Sequence, residues 1–437
     1  MMVERLLHRA VASFEAARRV AVLPPGHRER RLHGHGFKAR LLAELPSGWG
    51  GFDGAETDAL SEILRGAVEA LDYRDLNEVL ERPTDMNLAA WLKRQLERGR
   101  ELPGIAQVGV QSTTEQGVEL RRIATENADK GFEVAPRPLS DHDNDAGPEA
   151  RDQISAESAS GIGAGHSRRN AFADAELCRA HVWRRFRFEA AHRLVNVPSD
   201  HQCGRMHGHG FEVILHAEQT LRLPAEGLSG GAAGIEVGYD RLGGIWAPLH
   251  VELDHSCLND LPGLENPTSE LLAAWIWKRV KPALPELSLV SVYETATAGC
   301  HYDGRDYRIW KELRFEGALR LASAPAQDAR RCLHGHSYLL RLHLTAPLDE
   351  VLGWTIDYGD VKALFRPIYA QLDHHELNGL PQLANPSAAG VARWIRANIA
   401  DKLPQADRLE LTERPGCGVL LCWGASVPQQ EVAVLPL

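Results

Sequence analysis

Residues 188–211 read FEAAHRLVNVPSDHQCGRMHGHGF, and the outline of this stretch occurs three times in the 437-residue chain. His-Gly-His stands at His33–His35, His207–His209 and His334–His336, and a Phe-Glu dipeptide begins 19 residues before each, at Phe14, Phe188 and Phe315. Three copies at one offset mark an internal repeat. Copies two and three lie 127 residues apart and copies one and two 174 apart. The excess falls in 134–178, a Pro-, Gly-, Ser- and acid-rich stretch whose composition predicts a flexible linker. Between copies two and three YRIWKELRFEGALRL (307–321) runs from one unit straight into the first strand of the next.

Each unit shows one order of elements. An alternating segment such as VWRRFRFEAAHRL predicts a strand, and a second follows from the HGH string. A helix leads to a Leu-Asp turn (Leu71-Asp72, Leu253-Asp254, Leu372-Asp373). A second, amphipathic helix carries Trp91, Trp275 or Trp394, and Asn266-Pro267-Thr268-Ser269 is a strong start signal for it. A β-rich pair closes the unit. The order ββ-αα-ββ predicts an α+β class, with an antiparallel sheet covered by helices on one face. The expected division is a degenerate unit at 1–133, a linker at 134–178, a unit with a full set of chemical groups at 179–311 and a second degenerate unit at 312–437.

Bulk properties narrow the function. The net charge of −10 argues against a general nucleic-acid binder, which needs a basic face. No apolar run approaches the length of a membrane span, and the N-terminus lacks a signal-peptide pattern, so neither membrane insertion nor export is expected. Seven cysteines without a CxxC pair point to a reducing cytoplasm.

The chemistry concentrates in the middle unit. His207 and His209, two apart on a strand, point to one face, and Gly208 between them adds no bulk. His192, on the preceding strand, is placed to bring a third imidazole alongside. Three histidines without a fourth protein ligand form the pattern of a catalytic zinc site with an open position, against the plainer reading of three unrelated histidines. Cys203 lies four residues before His207; beside a metal its thiol pKa is expected to fall, making it a usable base, although a buried structural cysteine is the common alternative. Asp254-His255 is an acid–imidazole pair suited to moving a proton. Glu294, on a late strand, is suited to grip a guanidine-like edge through two hydrogen bonds.

The strings FEAAHRL (188–194), CGRMHGHGF (203–211), LDHSCLND (253–260), PGLENPTSE (262–270) and ETATAGCHY (294–302) closely resemble the 6-pyruvoyltetrahydropterin synthase family. The resemblance is nearest to its bacterial 6-carboxy-5,6,7,8-tetrahydropterin synthase branch of the queuosine pathway, which shares the Cys-x3-His spacing. It covers about 120 residues, from Trp183 to Gly304. It implies zinc on His192, His207 and His209; Cys203, Asp254 and His255 as the proton-transfer set; Glu294 as pterin anchor; and Thr268 and Glu270 along the pterin pocket. The implied substrate is 7,8-dihydroneopterin triphosphate, and the implied products are 6-carboxytetrahydropterin, acetaldehyde and triphosphate. The sister 6-pyruvoyl activity and a non-catalytic zinc- or pterin-binding scaffold are the alternatives. No GxGxxG fingerprint is present, in keeping with an internal redox reaction. The family's tunnelling fold further implies a pseudo-trimeric ring whose sheets form a barrel with helices outside, and two chains stacked as a homodimer of such rings.

The flanking units depart from the pattern. Unit one has Arg18 at the His192 position, Glu29 at that of Cys203, Tyr73 at that of His255 and Ser112 (or, with a shift, Glu115) at that of Glu294. Unit three has Leu319 for His192 and Arg330 for Cys203, but keeps Asp373, His374 and Glu413. Both are expected to be non-catalytic. Arg30, Arg31, Arg330 and Arg331 are either triphosphate contacts from neighbouring units or a solvated basic face. A Trp-x-x-Asp-Tyr segment typical of the family stands in unit three as WTIDY (354–358), whereas unit two reads GIEVGYDRL (234–242) there.

Overall fold

The computed structural model describes residues 4–99, 102–123, 176–223 and 238–424. The first unit contains β1 (Arg5–Arg18), β2 (His33–Ala43), α1 (Glu56–Val68), β3 (Arg74–Asp75), α2 (Asp85–Arg98), β4 (Ile105–Thr113) and β5 (Gln116–Arg122). The second contains β6 (Glu176–His192), β7 (His207–Leu223), α3 (Tyr239–Leu253), β8 (Ser256–Cys257), α4 (Ser269–Val280), β9 (Leu287–Thr295) and β10 (Ala298–Tyr302). The third contains β11 (Tyr307–Leu319), β12 (His334–Thr345), α5 (Tyr358–Leu372), β13 (His375–Glu376), α6 (Ala388–Ile399), β14 (Ala406–Arg414) and β15 (Cys417–Cys422).

Four long strands from each unit join into one closed antiparallel barrel. The order is β10-β9-β7-β6-β5-β4-β2-β1-β15-β14-β12-β11, and β11 returns to β10. Units meet at three seams: Val118 opposite Val182 between β5 and β6, Cys300 opposite Ile309 between β10 and β11, and Leu7 opposite Leu420 between β1 and β15. Closure leaves no long edge open. The fold is therefore the expected ring of three tunnelling-fold units within a single chain.

Strand alternation sorts the side chains. On the helix-facing side of β6 and β7, Phe188 stacks on Phe211 at 5.1 Å and lies 6.3 Å from Trp246 of α3. Trp275 and Trp394 are buried within α4 and α6. The opposite face is unusually polar for a buried surface. His181 Nε2 meets His216 Nδ1 at 3.0 Å, His216 Nε2 meets Ser291 Oγ at 2.8 Å, and Ser291 Oγ meets His301 Nδ1 at 2.7 Å. Beyond them His343 Nε2 meets Glu410 Oε1 at 3.0 Å, and Arg9 Nη1 donates to Glu410 Oε2 at 2.8 Å. These contacts satisfy polar groups that burial would otherwise penalise.

Two expected boundaries shift. The linker at 134–178 lies outside the described residues up to 175, but 176–178 already belong to β6, where Cys178 pairs with Arg122 and Leu221. The division at 311/312 falls inside β11, which pairs with β12 from Arg308 onward and so belongs to the third unit; the turn is at 303–306.

Candidate metal centre and its cavity

β6 and β7 run antiparallel with His192 directly opposite His207. That register follows from the fixed offset between the Phe-Glu and HGH strings, because Phe188 pairs with Phe211 at the other end of the segment. Gly208 fits a close approach of the strands: a Cβ there would stand 3.2 Å from the Ala190 carbonyl oxygen, tighter than an ordinary contact. The rings of His192, His207 and His209 lie 4.5, 5.2 and 5.0 Å apart, centre to centre. His192 Nδ1 is 2.9 Å from the Pro267 carbonyl oxygen, and His207 Nδ1 is 2.7 Å from that of Arg205. Each Nδ1–H donates to a carbonyl, which leaves Nε2 as a bare lone pair. The Nε2 atoms of His192 and His209 are buried and meet no hydrogen-bond partner. Burial holds His192 down at about 4 and also lowers His209, so both imidazoles are neutral ligands at pH 7. The donor set therefore fits a borderline-soft divalent metal.

Glu294 changes the expected picture of three histidines alone. Its carboxylate comes within 3.6 Å of His209 Nε2, and the four side chains together form a cluster with all ligand atoms inside 4.8 Å. Burial, reinforced by Glu270 and Asp357, pushes Glu294 up to about 7. The same side chain thus borders both the histidine cluster and the cavity beside it.

That cavity, about 630 Å3, is lined by His201, Cys203, Arg205, His207, His209 and Glu294 of the second unit. Lys311, Asp357 and Tyr358 of the third unit complete it. The Cys203 thiol is raised rather than lowered: burial comes first, then the carboxylates of Glu294 and Asp357. The protein groups alone therefore oppose the expected activation, and a lower thiol pKa has to come from a bound cation.

The structure does not bring every expected residue into the cavity. Thr268 and Glu270 are absent from its walls, because both are used at the seam with the third unit. Thr268 caps α4, accepting from Leu271 N–H, and its hydroxyl donates to the Gly353 carbonyl. Glu270 is buried and accepts from Thr355 N–H at 2.8 Å and from Thr355 Oγ1 at 3.1 Å; burial raises its pKa. Asp254 and His255 also lie off the cavity walls. They form an exposed pair, His255 Nδ1 to Asp254 Oδ2 at 2.9 Å, on the other edge of β6, where β8 pairs with Ala190 and Ala191. Asp254 is lowered, chiefly by the Glu189 N–H and then by His255, and His255 is raised by Asp254. His255 sits at φ 55, with Tyr73 at 51 and His374 at 57 in the corresponding turns. Left-handed backbone at three non-glycine residues is a cost the fold repeats.

The segment that carries WTIDY in unit three faces unit two. Residues 351–358 of the third unit lie against the second: Asn196 Nδ2 donates to Val351 O, Asn266 Nδ2 to Leu352 O, and Ser269 Oγ meets Tyr358 OH at 2.9 Å. No motif in a single unit signals this pairing. The signal in the sequence was the intact WTIDY in a unit whose own metal ligands are lost.

The other two sites are closed by chemistry. In unit one, Arg18 takes the place of His192 and keeps the equivalent carbonyl bond, to Pro83 at 3.0 Å. Its guanidinium is paired with Asp85 Oδ1 at 2.6 Å, and Asp85 Oδ2 accepts from Ser112 Oγ at 2.7 Å and Tyr239 OH at 2.8 Å. A fixed, compensated cation thus stands beside His33 and His35. In unit three, buried Leu319 removes the third ligand. Arg330 is held by Asp328 and by Asp58 of unit one, which Arg414 also grips. Arg30 and Arg331 donate to backbone carbonyls of their own loops, and none of Arg30, Arg31, Arg330 and Arg331 lines the cavity of unit two.

Three imidazoles converge on β6 and β7 of a twelve-stranded barrel, and the chain is similar to known proteins. The family model described as 6-pyruvoyl tetrahydropterin synthase matches residues 181–305 and again 308–421, more than half of the chain. The chain belongs to that family. A 6-carboxy-5,6,7,8-tetrahydropterin synthase of Synechocystis sp. is 37% identical over 124 residues, 28% of this chain and 91% of that protein. A dihydroneopterin monophosphate aldolase of Pyrococcus furiosus is 30% identical over 124 residues, 27% of this chain and 98% of that protein. Among solved structures, the 6-pyruvoyl tetrahydropterin synthase of Caenorhabditis elegans aligns with 27% of this chain and 95% of its own, at 18% identity and a TM-score of 0.24. Among the described residues no helix is long and apolar enough to cross a membrane.

Proposed function

We propose that the chain is a zinc-dependent 6-carboxy-5,6,7,8-tetrahydropterin synthase with one working site, in unit two. It converts 7,8-dihydroneopterin triphosphate to 6-carboxytetrahydropterin, acetaldehyde and triphosphate, in the cytoplasm, on the route to queuosine or another 7-deazapurine. The observation that carries the reading is the convergence of three imidazoles, His192 and His207 oriented by Nδ1 contacts to backbone carbonyls and His192 and His209 with buried, unpartnered Nε2 atoms, beside the cavity that holds Cys203 and Glu294. The Synechocystis relative, 37% identical, supports the 6-carboxy product over the 6-pyruvoyl one.

His192, His207 and His209 would hold the zinc, which supplies Lewis-acid polarisation of the substrate's side-chain hydroxyls. Glu294 accepts two hydrogen bonds from the guanidine-like edge of the ring, and its partial protonation near neutrality is suppressed once those donors arrive. Cys203 sits in the same cavity to accept or return a proton on the side-chain carbons. Asp254 and His255 are assigned to the proton-transfer set by the family resemblance alone, since they lie outside this cavity. The stacking of two rings into a homodimer is part of this reading, and light scattering that finds a single 48.2 kDa particle opposes it.

The deciding experiment is mass spectrometry of the products formed from 7,8-dihydroneopterin triphosphate by the zinc-loaded chain, beside Cys203→Ala. 6-Carboxytetrahydropterin and acetaldehyde, absent with Cys203→Ala, support the reading. A 6-pyruvoyl product moves the chain to the sister activity, and unchanged substrate with retained zinc makes it a binding scaffold.

A further inference from the structure

We propose that Lys311, a residue of the third unit, sets ring selectivity in the cavity of the second, by donating a hydrogen bond to the oxo group of a 2-amino-4-oxo pteridine held on Glu294. The inference rests on the pterin reading above.

Topology puts the two groups together. Lys311 lies on β11 directly opposite Ala298 of β10, and Ala298 pairs with Thr295, the residue after Glu294. The side chain crosses the seam on the helix-facing side, since Ile309 and Phe315 share its alternation and are buried against α5 and α6. It is half-buried and lines the same cavity as Glu294 and Cys203. Among the described residues its ammonium donates one hydrogen bond, to Thr297 Oγ1 at 3.2 Å, which anchors it and leaves further N–H groups for an occupant. Burial and Lys362 lower its pKa while Glu312 and Glu294 oppose them; reciprocally, Lys311 is the cation that draws Glu294 down. The other cation on the walls, Arg205, turns its Nε toward the Gln202 carbonyl and does not act on Glu294 in this way.

The chemistry follows from the order of atoms on the ring. The 2-amino group and N3–H present two adjacent donors, which match the two oxygens of one carboxylate. The next atom along that edge is the 4-oxo oxygen, an acceptor. A carboxylate alone meets a comparable two-donor edge on the 4-amino ring once that ring is protonated, and so does not by itself select firmly for the 4-oxo ring. An ammonium beside it does: it satisfies the oxo group and faces a second donor on the 4-amino ring. Leaving a buried charged donor unmatched is the strong form of discrimination.

The test measures dissociation constants of pterin and of 2,4-diaminopteridine by fluorescence titration, on the full zinc-loaded chain and its variants. The native chain is expected to prefer pterin. Lys311→Met keeps the apolar stem and removes the donor, and is expected to shrink the preference at least about tenfold. Lys311→Arg keeps a donor and is expected to restore most of it. An unchanged ratio in Lys311→Met, or equal weakening of both rings, overturns the proposal. Failure of the native chain to bind either ring, or pterin binding untouched by Glu294→Gln, overturns the pterin reading itself and the proposal with it.

Discussion

His201 and Asp357 meet at 3.3 Å, Nε2 to Oδ2, although they belong to different units of the chain. His201 Nδ1 accepts from the Cys203 backbone N–H at 3.2 Å, so one imidazole links a carboxylate of unit three to the loop that carries the thiol of unit two. The first unit repeats the arrangement, with His27 Nε2 3.2 Å from Asp240 and the Glu29 N–H on His27 Nδ1. In the third, Asp328 stands at the His201 position and accepts from the Arg330 N–H at 2.9 Å, while Arg330 makes the cross-unit contact, 2.6 Å from Asp58.

This linkage predicts an effect across a unit boundary. Asp357→Asn is expected to lower kcat by about tenfold to a hundredfold through misplacement of Cys203, with a smaller change in KM. Asp240→Asn, at the corresponding contact of unit one, is expected to leave kcat unchanged. Steady-state kinetics of the two variants beside Asp357→Glu decides it, and equal effects at both contacts would sink the idea.

Metal analysis of the purified chain should give close to one zinc per polypeptide. His192→Ala and His207→Ala are expected to abolish it, because each removes one of only three imidazoles. His33→Ala and His334→Ala are expected to have no effect, since Arg18 and Leu319 stand where the third ligand would be. Two or three zinc ions per chain would show that the flanking sites are not closed.

Arg18 and Asp85 form a buried pair, with side chains 2% and 1% exposed. Arg18→Ala strands the Asp85 carboxylate and is expected to destabilise the fold by about 3–5 kcal/mol. Replacing both together, as Arg18→Met with Asp85→Leu, is expected to cost far less. Urea unfolding of the single and double variants reads the difference directly.

Acid should weaken the protein between about pH 6.5 and pH 4. Burial holds His8 and His343 at about 4 and His216 and His301 well below 6.5, so these rings are neutral when folded and return to about 6.5 when unfolded. The unfolded chain then binds more protons in that window, and stability falls as pH drops through it. Glu270, Glu294 and Glu413, raised by burial, act in the opposite sense but are fewer than the buried rings once His35 and His336 are added. Chemical denaturation at pH 7.5 and pH 5 should show a lower midpoint in acid, and His216→Gln should flatten the trend.

Periodicity and spacing made much of this legible. The offset of the Phe-Glu and HGH strings implied the register that sets His192 against His207, and Asn266-Pro267-Thr268 implied the cap that starts α4. Such patterns report neighbours within a unit. They carry no record of which unit follows which around a ring, so the placement of Asp357 on His201 and of Thr355 on Glu270 was hidden. WTIDY was visible only as a departure in unit two, whereas it sits in unit three where it serves unit two. The burial of Cys203 and the carboxylates of Glu294 and Asp357 near it were likewise hidden, because spacing to His207 says nothing of groups that arrive from elsewhere. The row of buried histidines inside the barrel was equally invisible, since residues such as His181 and His343 look like ordinary polar positions of alternating strands.

The seam between β1 and β15 has a consequence for synthesis. Arg5 pairs with Cys422, so β1 finds one of its two neighbours only when β15 has been made. Throughout elongation one side of β1 is a bare backbone edge, able to recruit a strand from another nascent chain. Three separate subunits would each finish folding before meeting; this polypeptide must hold an open ring until β15 arrives to lock it.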